Sequence, residues 1–240
     1  MAESSQKDLG ASASLQMKTD GNPVESSASS RMKTGSDPME SFAFSQMKTG
    51  DNPMESSASS RMHTVNPLQT ERVRLRAMEP RDVDLLYRWE NDPEVWKVSN
   101  TMVPFSKFTL QEFIKTSTMD IYASRQLRLM VEDWKGNTVG AVDVFDFDPF
   151  HHRAGIGILI AKEYRENGYA EESVRCVCQY LFTVFQLHQV YCNVMEDNEI
   201  SLKLFQHAGF VLTGRKKDWM RGKNGFLDVL ILQLIHENEK

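Results

Sequence analysis

A fifteen-residue period fills the first seventy positions and then stops. Gln16-Met17-Lys18-Thr19 returns as Arg31-Met32-Lys33-Thr34, as Gln46-Met47-Lys48-Thr49 and as Arg61-Met62-His63-Thr64. Asn22-Pro23, Asp37-Pro38 and Asn52-Pro53 recur in step, each followed by a Glu-Ser tract. Such units carry too few apolar side chains to offset the roughly 1–2 kcal/mol per residue that ordering a backbone costs. Residues 1–70 are therefore expected to be a disordered, low-complexity tail, or an arm that docks a partner through the repeated Met-Lys-Thr element. All four tryptophans, all six tyrosines and every isoleucine lie after Glu71, so a large core can form only over residues 71–240, a length that suits one domain.

The formal net charge of −5 and the lack of a basic stripe argue against a nucleic-acid binder, which needs clustered positive charge to displace counterions. No apolar run approaches the roughly 20 residues that span a bilayer, and the polar start lacks a secretory signal. A soluble, cytoplasmic protein with no membrane partner is expected. The cysteines Cys176, Cys178 and Cys192 are an odd number without framework spacing, which suits reduced thiols. Cys176 and Cys178 stand two apart on an expected helix and face different ways, so no metal is expected there.

From Glu71 the pattern becomes regular. Val73, Leu75 and Ala77 alternate with arginines, a half-buried strand. Pro80 stands at a first helical position, and Val83, Leu86 and Tyr87 follow at helical spacing until Asn91-Asp92-Pro93 ends that helix. A shorter helix is expected over Leu110 to Thr116. Strands follow at 126–132, 138–147 and 153–160, joined by short turns into an antiparallel meander. The segment from Tyr169 to Leu187 is apolar on one side, an amphipathic helix. A strand from Val190, a helix from Glu199 to Ala208 stopped by Gly209, and two closing strands complete the chain. The order β-α-α-β-β-β-α-β-α-β-β predicts an α+β fold, a mixed and mostly antiparallel sheet flanked by helices.

Between the strand ending at Ile160 and the helix opening at Tyr169 lies Arg165-Glu166-Asn167-Gly168-Tyr169-Ala170. A glycine turn at a helix start leaves backbone N–H groups without intrahelical partners, and with the positive end of the helix dipole they form a site for a pyrophosphate. The same glycine would also serve merely to shorten a strand-to-helix connection.

This turn resembles the (Q/R)-x-x-G-x-(G/A) loop of the GNAT superfamily of acetyl-CoA-dependent N-acetyltransferases, with Arg165, Gly168 and Ala170 at its defining positions. The strand Gly157-Ile158-Leu159-Ile160 resembles the family's pantetheine-binding strand. Asn198-x-x-Ser201-x-x-Leu204-Phe205-x-x-x-Gly209-Phe210 resembles its Asn-led helix ending in Gly-Phe. The resemblance covers 71–235. It implies acetyl-CoA as cosubstrate, bound through Ile158, Leu159, Ile160, Arg165, Glu166, Asn167, Gly168, Tyr169, Ala170, Asn198, Ser201 and Phe205. It implies also that the strands ending near Ile160 and starting near Val190 splay apart.

Within the superfamily the chain resembles the spermidine (diamine) acetyltransferases, through Val73-Arg74-Leu75-Arg76, the acidic strand Asp143-Val144-Phe145-Asp146-Phe147-Asp148 and His152-Arg153-Ala154. It departs from them at Phe205, where those enzymes carry a tyrosine that protonates the departing thiolate, and at residues 98–104, which replace an acidic, aromatic loop. Ser201 with no such tyrosine resembles the ribosomal-protein N-terminal acetyltransferases, where a serine serves the thiolate. The resemblance also implies a homo-oligomer.

Acetyl transfer to an amine is simplest as direct attack in a ternary complex, since no Ser-His-Asp or Cys-His spacing is evident, with Cys192 the alternative nucleophile. A lysine-like amine of pKa about 10.4 costs about 5 kcal/mol to deprotonate at pH 7, so a proton acceptor is required. Asp143, Asp146, Asp148 and Glu196 are the candidates, and they also suit a polycation; each is alternatively a solvated turn carboxylate. Alternation puts Asp143 on the opposite strand face from Asp146 and Asp148. Ser201 and Tyr191 are the candidate acids for the thiolate, and Asn198 is either an amide ligand or a helix N-cap. Trp89, Glu90, Trp96 and Phe105 line an amine pocket or belong to the core. The expected activity is N-acetylation of a small polyamine, with a protein N-terminal acetyltransferase and a non-catalytic CoA-binding module as alternatives.

Overall fold

Alternation in the first strand is partly kept. In the computed structural model of the chain, which describes residues 66–99, 101, 103–117 and 120–237, strand β1 (Val73–Ala77) buries Val73 and Leu75 and exposes Arg74, while Ala77 at the strand end is exposed. Residues 1–65 of the expected tail lie outside the described residues. The last part, 66–70, is described: Leu68 packs against the core, Gln69 bridges Arg74, and the Cys176 thiol donates to the Pro67 carbonyl at 3.7 Å.

Pro80 opens a 3-10 turn (Pro80–Asp82) with a reciprocal capping box between Glu79 and Asp82, which leads into helix α1 (Val83–Glu90). Pro93, expected only to stop that helix, also begins the next one, α2 (Pro93–Ser99), because a proline at a first helical position loses no hydrogen bond. Helix α3 (Lys107–Thr116) starts three residues earlier than expected, capped by the Ser106 hydroxyl, which accepts from the Thr109 amide at 3.0 Å. The four-residue α4 (Ile121–Ser124), capped by Asp120, is too short to leave a helical period in the sequence.

Strands β2 (Leu127–Asp133), β3 (Thr138–Asp148) and β4 (Arg153–Ile160) form the expected antiparallel meander. Helix α5 (Tyr169–Thr183), β5 (Gln189–Met195), α6 (Glu199–His207), β6 (Val211–Gly222) and β7 (Gly225–Ile235) follow. The seven strands make one sheet in the order β1-β2-β3-β4-β5-β7-β6, antiparallel at every pairing except β4 with β5. Val142, Val144, Ile156, Ile158 and Val190 share one core with Val174, Val177 and Leu181 of α5. On the other face, Glu90 of α1 and Phe113 of α3 meet Arg128 of β2.

The seam between β4 and β5 positions the site. Only Arg153↔Gln189, Ala154↔Val190 and Gly155↔Tyr191 pair there, although β4 continues to Ile160 and β5 to Met195. On its other edge β4 stays paired with β3 up to Gly140↔Ile160, and β5 stays paired with β7 up to Met195↔Val229. The strands therefore part after Gly155, and residues 156–160, about 13 Å of strand at ~3.3 Å per residue, have no strand partner on that side. Backbone groups left this way need partners from elsewhere.

Candidate active site

Beyond Ile160 the chain passes a 3-10 turn (Lys162–Tyr164) and reaches Arg165 in extended conformation, Glu166 at φ 64° and Gly168 at φ 77°. Two left-handed residues so close together turn successive N–H groups toward one side. Gly168 is the N-cap of α5 and offers no side-chain cap; the first helical bond runs from the Glu172 amide to the Gly168 carbonyl. The amides of Tyr169, Ala170 and Glu171 are thus the orphan donors of the helix start. Arg165 donates through Nε to the Ile160 carbonyl at 3.1 Å, and the Asn167 carboxamide donates to Tyr164 O and Arg165 O, so both side chains brace the turn.

A groove of about 190 Å³ runs from this turn to α6. Of the residues expected at a cofactor, Ile158, Ile160, Arg165, Glu166, Gly168, Tyr169, Ala170 and Ser201 line it. Leu159 does not, since strand alternation turns it to the other face, where it is buried. Phe205 is buried with its ring edge-on to Phe210 at 5.2 Å and is not among the groove residues. The Asn198 Oδ1 accepts from the Ser201 amide at 3.1 Å and caps α6. Tyr164, Ile200 and Leu204 line the groove unanticipated. Ile200 and Leu204 are four apart on α6, and Ile200 is an exposed isoleucine beside a helix cap, the one local sign of an apolar slot.

Ser201 is fully buried, and its Oγ has no hydrogen-bond partner. A buried hydroxyl without a partner costs about 1–3 kcal/mol. Here it lines a groove whose strand wall has no strand partner on that side, with only the Ile160 carbonyl taken up by Arg165, and a ligand with its own donors and acceptors would meet both.

The expected acidic residues fall into separate groups. Asp143 is buried on the face toward α1 and α3, held by two bonds from Arg128 (Nε to Oδ1 2.5 Å, Nη2 to Oδ2 2.8 Å), while Arg128 Nη1 also binds Glu90. Burial pushes the Asp143 carboxyl up and the guanidinium opposes it; the same two carboxylates hold Arg128 above its ordinary range despite its burial. Trp89 is buried beside this triad's helix, Trp96 donates through its indole N–H to the Glu90 carbonyl at 2.6 Å, and the Phe105 amide is held by Asn91.

Asp146 and Tyr191 come together, with the phenol donating to Oδ2 at 3.1 Å. Burial pushes the Tyr191 hydroxyl well above its usual range, and the Asp146 carboxylate pushes it further, so it stays protonated. The alternation that separates Asp143 from Asp146 is broken at a bulge: Asp146 has φ 48° and the register with β4 slips between Phe145 and Asp148. Tyr191 belongs to the last β4–β5 pair, so this couple stands at the closed end of the strand gap.

Asp148 accepts from the Phe150 and His151 amides at 3.1 and 3.0 Å and pairs with Arg153; these amide bonds hold its carboxyl below the usual range. Glu196 accepts from the Asp228 amide at 2.9 Å and pairs with Arg215 at 3.3 Å, which binds Asp228 as well. The Cys192 thiol is buried and pushed far up by burial, a poor nucleophile. No cluster of three or more metal-ligating side chains occurs among the described residues, and no helix among them is long and apolar enough to cross a membrane.

Residues 72–211 match the family model of the acetyltransferase (GNAT) domain. The chain is 28% identical over 172 residues to the N-acetyltransferase p20 of Bacillus licheniformis, covering 70% of this chain and 95% of that protein. It is 27% identical over 143 residues to the spermidine N(1)-acetyltransferase of Vibrio cholerae, covering 60% of this chain and 81% of that protein. The fold is that of the crystal structure of Vibrio cholerae spermidine N-acetyltransferase in complex with CoA and spermine, with TM-score 0.64 at 24% identity over 69% of this chain and 96% of that one. Since the matched domain takes in more than half of the sequence, and the parted strands with the glycine turn beyond them lie inside it, this chain belongs to the GNAT acetyltransferases and is an acetyl-CoA-dependent N-acetyltransferase.

Proposed function

We propose that the protein acetylates a primary amine by direct attack on acetyl-CoA in a ternary complex, with a polyamine such as spermidine as the acceptor. The single observation that carries the donor site is the orphaned, fully buried Ser201 hydroxyl lining the groove beside the parted strands. Acetyl-CoA supplies an activated acyl carbon and a thiolate leaving group.

In this reading the free edge of Ile158 to Ile160 hydrogen-bonds the pantetheine amides as an added strand would. The amides of the turn from Arg165 to Ala170, with the α5 dipole behind them, hold the diphosphate. Asn198 fixes the start of α6 and so the position of Ser201, whose hydroxyl donates a hydrogen bond to the departing sulfur; the thiolate then takes up a proton that the amine nitrogen loses as the amide forms. At the closed end of the gap, Asp146 attracts the ammonium and takes its proton, with the Tyr191 phenol orienting the carboxylate. Asp143 and Glu90, both spent on Arg128, shape that side of the pocket through the triad.

The polyamine acceptor is supported by the 27% identity to a spermidine N(1)-acetyltransferase and by the exposed Asp146 carboxylate. A peptide α-amine is the second reading, favoured by Phe205 in place of a tyrosine and by the internal cations that engage Asp143, Asp148 and Glu196. An acceptor panel followed by thiol release tests the assignment. Turnover on spermidine or spermine supports the first reading, and turnover on peptides alone supports the second. Tight acetyl-CoA binding with no turnover on any amine leaves a non-catalytic CoA-binding module.

A further inference from the structure

Arg72, the residue before β1, reaches across to the glycine turn. Its Nη1 donates to the Asn167 carbonyl at 3.2 Å, and its Nε meets Glu172 Oε2 at 2.5 Å. The Arg72 amide donates to the other Glu172 oxygen at 3.1 Å, which also accepts from the Thr70 hydroxyl. A Cβ at Gly168 would lie 3.1 Å from Arg72 Nη2 and 3.2 Å from Nη1, so the guanidinium fills the place of the side chain that this glycine lacks. Gly168 suits its φ of 77°, and its missing side chain lets the Arg72 guanidinium lie close over the turn.

The charges explain why a cation belongs there. The first turn of α5 carries two carboxylates, Glu171 and Glu172, close to the donors that would face a diphosphate. A carboxylate beside a helix start stabilises an empty helix, but it repels an incoming anion that the dipole attracts. Each of the two has its own guanidinium: Arg175 binds Glu171 at 2.9 Å, and Arg72 binds Glu172. Arg175 is on α5 itself, whereas Arg72 comes from another element and also holds the turn's backbone at Asn167.

We propose that Arg72 is a positioning residue for the diphosphate turn: it fixes the backbone at Asn167 and neutralises Glu172, so that the start of α5 presents positive charge to the donor. This rests on the acetyl-CoA reading given above. Arg72 is half exposed, and exposed ion pairs contribute little to folding, so its replacement should leave the fold intact.

The experiment compares acetyl-CoA with S-acetylpantetheine, which lacks the diphosphate and nucleotide, as donors for the wild type, Arg72→Gln and Arg72→Lys. Loss of charge-assisted hydrogen bonds on this scale predicts that Arg72→Gln raises KM for acetyl-CoA about tenfold with little change in kcat. KM for S-acetylpantetheine stays at the wild-type value, and Arg72→Lys, which keeps the charge without the fork, recovers part of the loss. In the Glu172→Gln background, Arg72→Gln costs less, since no carboxylate is left unopposed. A parallel rise in KM for both donors, or no rise for acetyl-CoA, overturns the inference. A wild-type chain that uses neither donor overturns the donor-site reading itself, and the inference with it.

Discussion

The ring of Phe145 occupies the space that a side chain at Gly155 would need: a Cβ there would lie 2.2 Å from the ring's Cε2 and 2.5 Å from Cζ. Phe145 in turn packs edge-on against Tyr191 at 5.8 Å, and Tyr191 pairs with Gly155 at the last rung before the strands part. Gly155→Ala should therefore push the ring off Tyr191 and lower stability by about 1–3 kcal/mol, the range for overpacking. Denaturant melts measure the loss. The double variant Gly155→Ala/Phe145→Leu should regain part of it, because the smaller side chain can yield.

Ser201→Ala should separate stability from activity. The Oγ is buried with no partner, so its removal should raise the unfolding free energy by about 1 kcal/mol or leave it unchanged. With the hydrogen-bond donor to the departing sulfur gone, kcat should fall by about 100-fold, the scale of one donor aimed at developing negative charge. A melt and a thiol-release assay on the same preparation check both. Lower stability together with wild-type kcat would remove Ser201 from the chemistry.

Arg128 holds two buried carboxylates, Asp143 and Glu90. Arg128→Met strands both, and should cost about 3–5 kcal/mol. Replacing Arg128, Asp143 and Glu90 together with apolar residues of similar volume should recover most of that cost, since an apolar core needs no compensation. Urea unfolding of the single and triple variants distinguishes these outcomes.

Acid sensitivity should trace to Arg76. Burial would raise the Asp82 and Glu132 carboxyls, but Arg76, joined by the Glu79 amide at Asp82 and by Arg74 at Glu132, outweighs it and holds both below their ordinary values of 3.8 and 4.5. A depressed folded pKa gives stability that is present above the unfolded value and lost as pH falls through the folded one. The contribution should thus be complete above about pH 5, start to fall as pH drops past 4.5 and 3.8, and vanish only below the depressed folded values. Asp143, pushed up by burial, acts with the opposite sign, favouring the fold below its unfolded value. The difference between wild type and Arg76→Gln isolates the first effect: the variant's stability should vary less between pH 5 and pH 3, measured by melts across that range.

How far the sequence was legible depended on the range of each signal. The turn from Arg165 to Ala170 was legible because glycine, arginine and a helix start lie within six consecutive residues. The strands were legible from apolar runs and alternation, and α5 from its apolar side. Helix α2 escapes the sequence because Asn91-Asp92-Pro93 reads as a stop, while a proline suits a helix start equally well. The surroundings of Asp143 were not legible. Its guanidinium lies 15 residues away, and the second carboxylate on that guanidinium lies 38 from it, so only the sheet register and the packing of α1 bring the three together. The bulge that lets Asp146 meet Tyr191 rests on one left-handed aspartate, a conformation that no periodicity announces. Arg72 likewise reads as one more arginine of an alternating strand until the fold folds it over residue 168.

Among the described residues, three rungs between β4 and β5 are the only strand pairing that joins β1 to β4 with the trio β5, β7 and β6, while the core under α5 runs across both. A donor lying in the cleft where β4 and β5 part would bridge the two halves of the sheet in place of the rungs they lack. Occupancy should then add bonds at the sheet's sparsest seam, so the donor-bound protein should melt at a higher temperature than the free one.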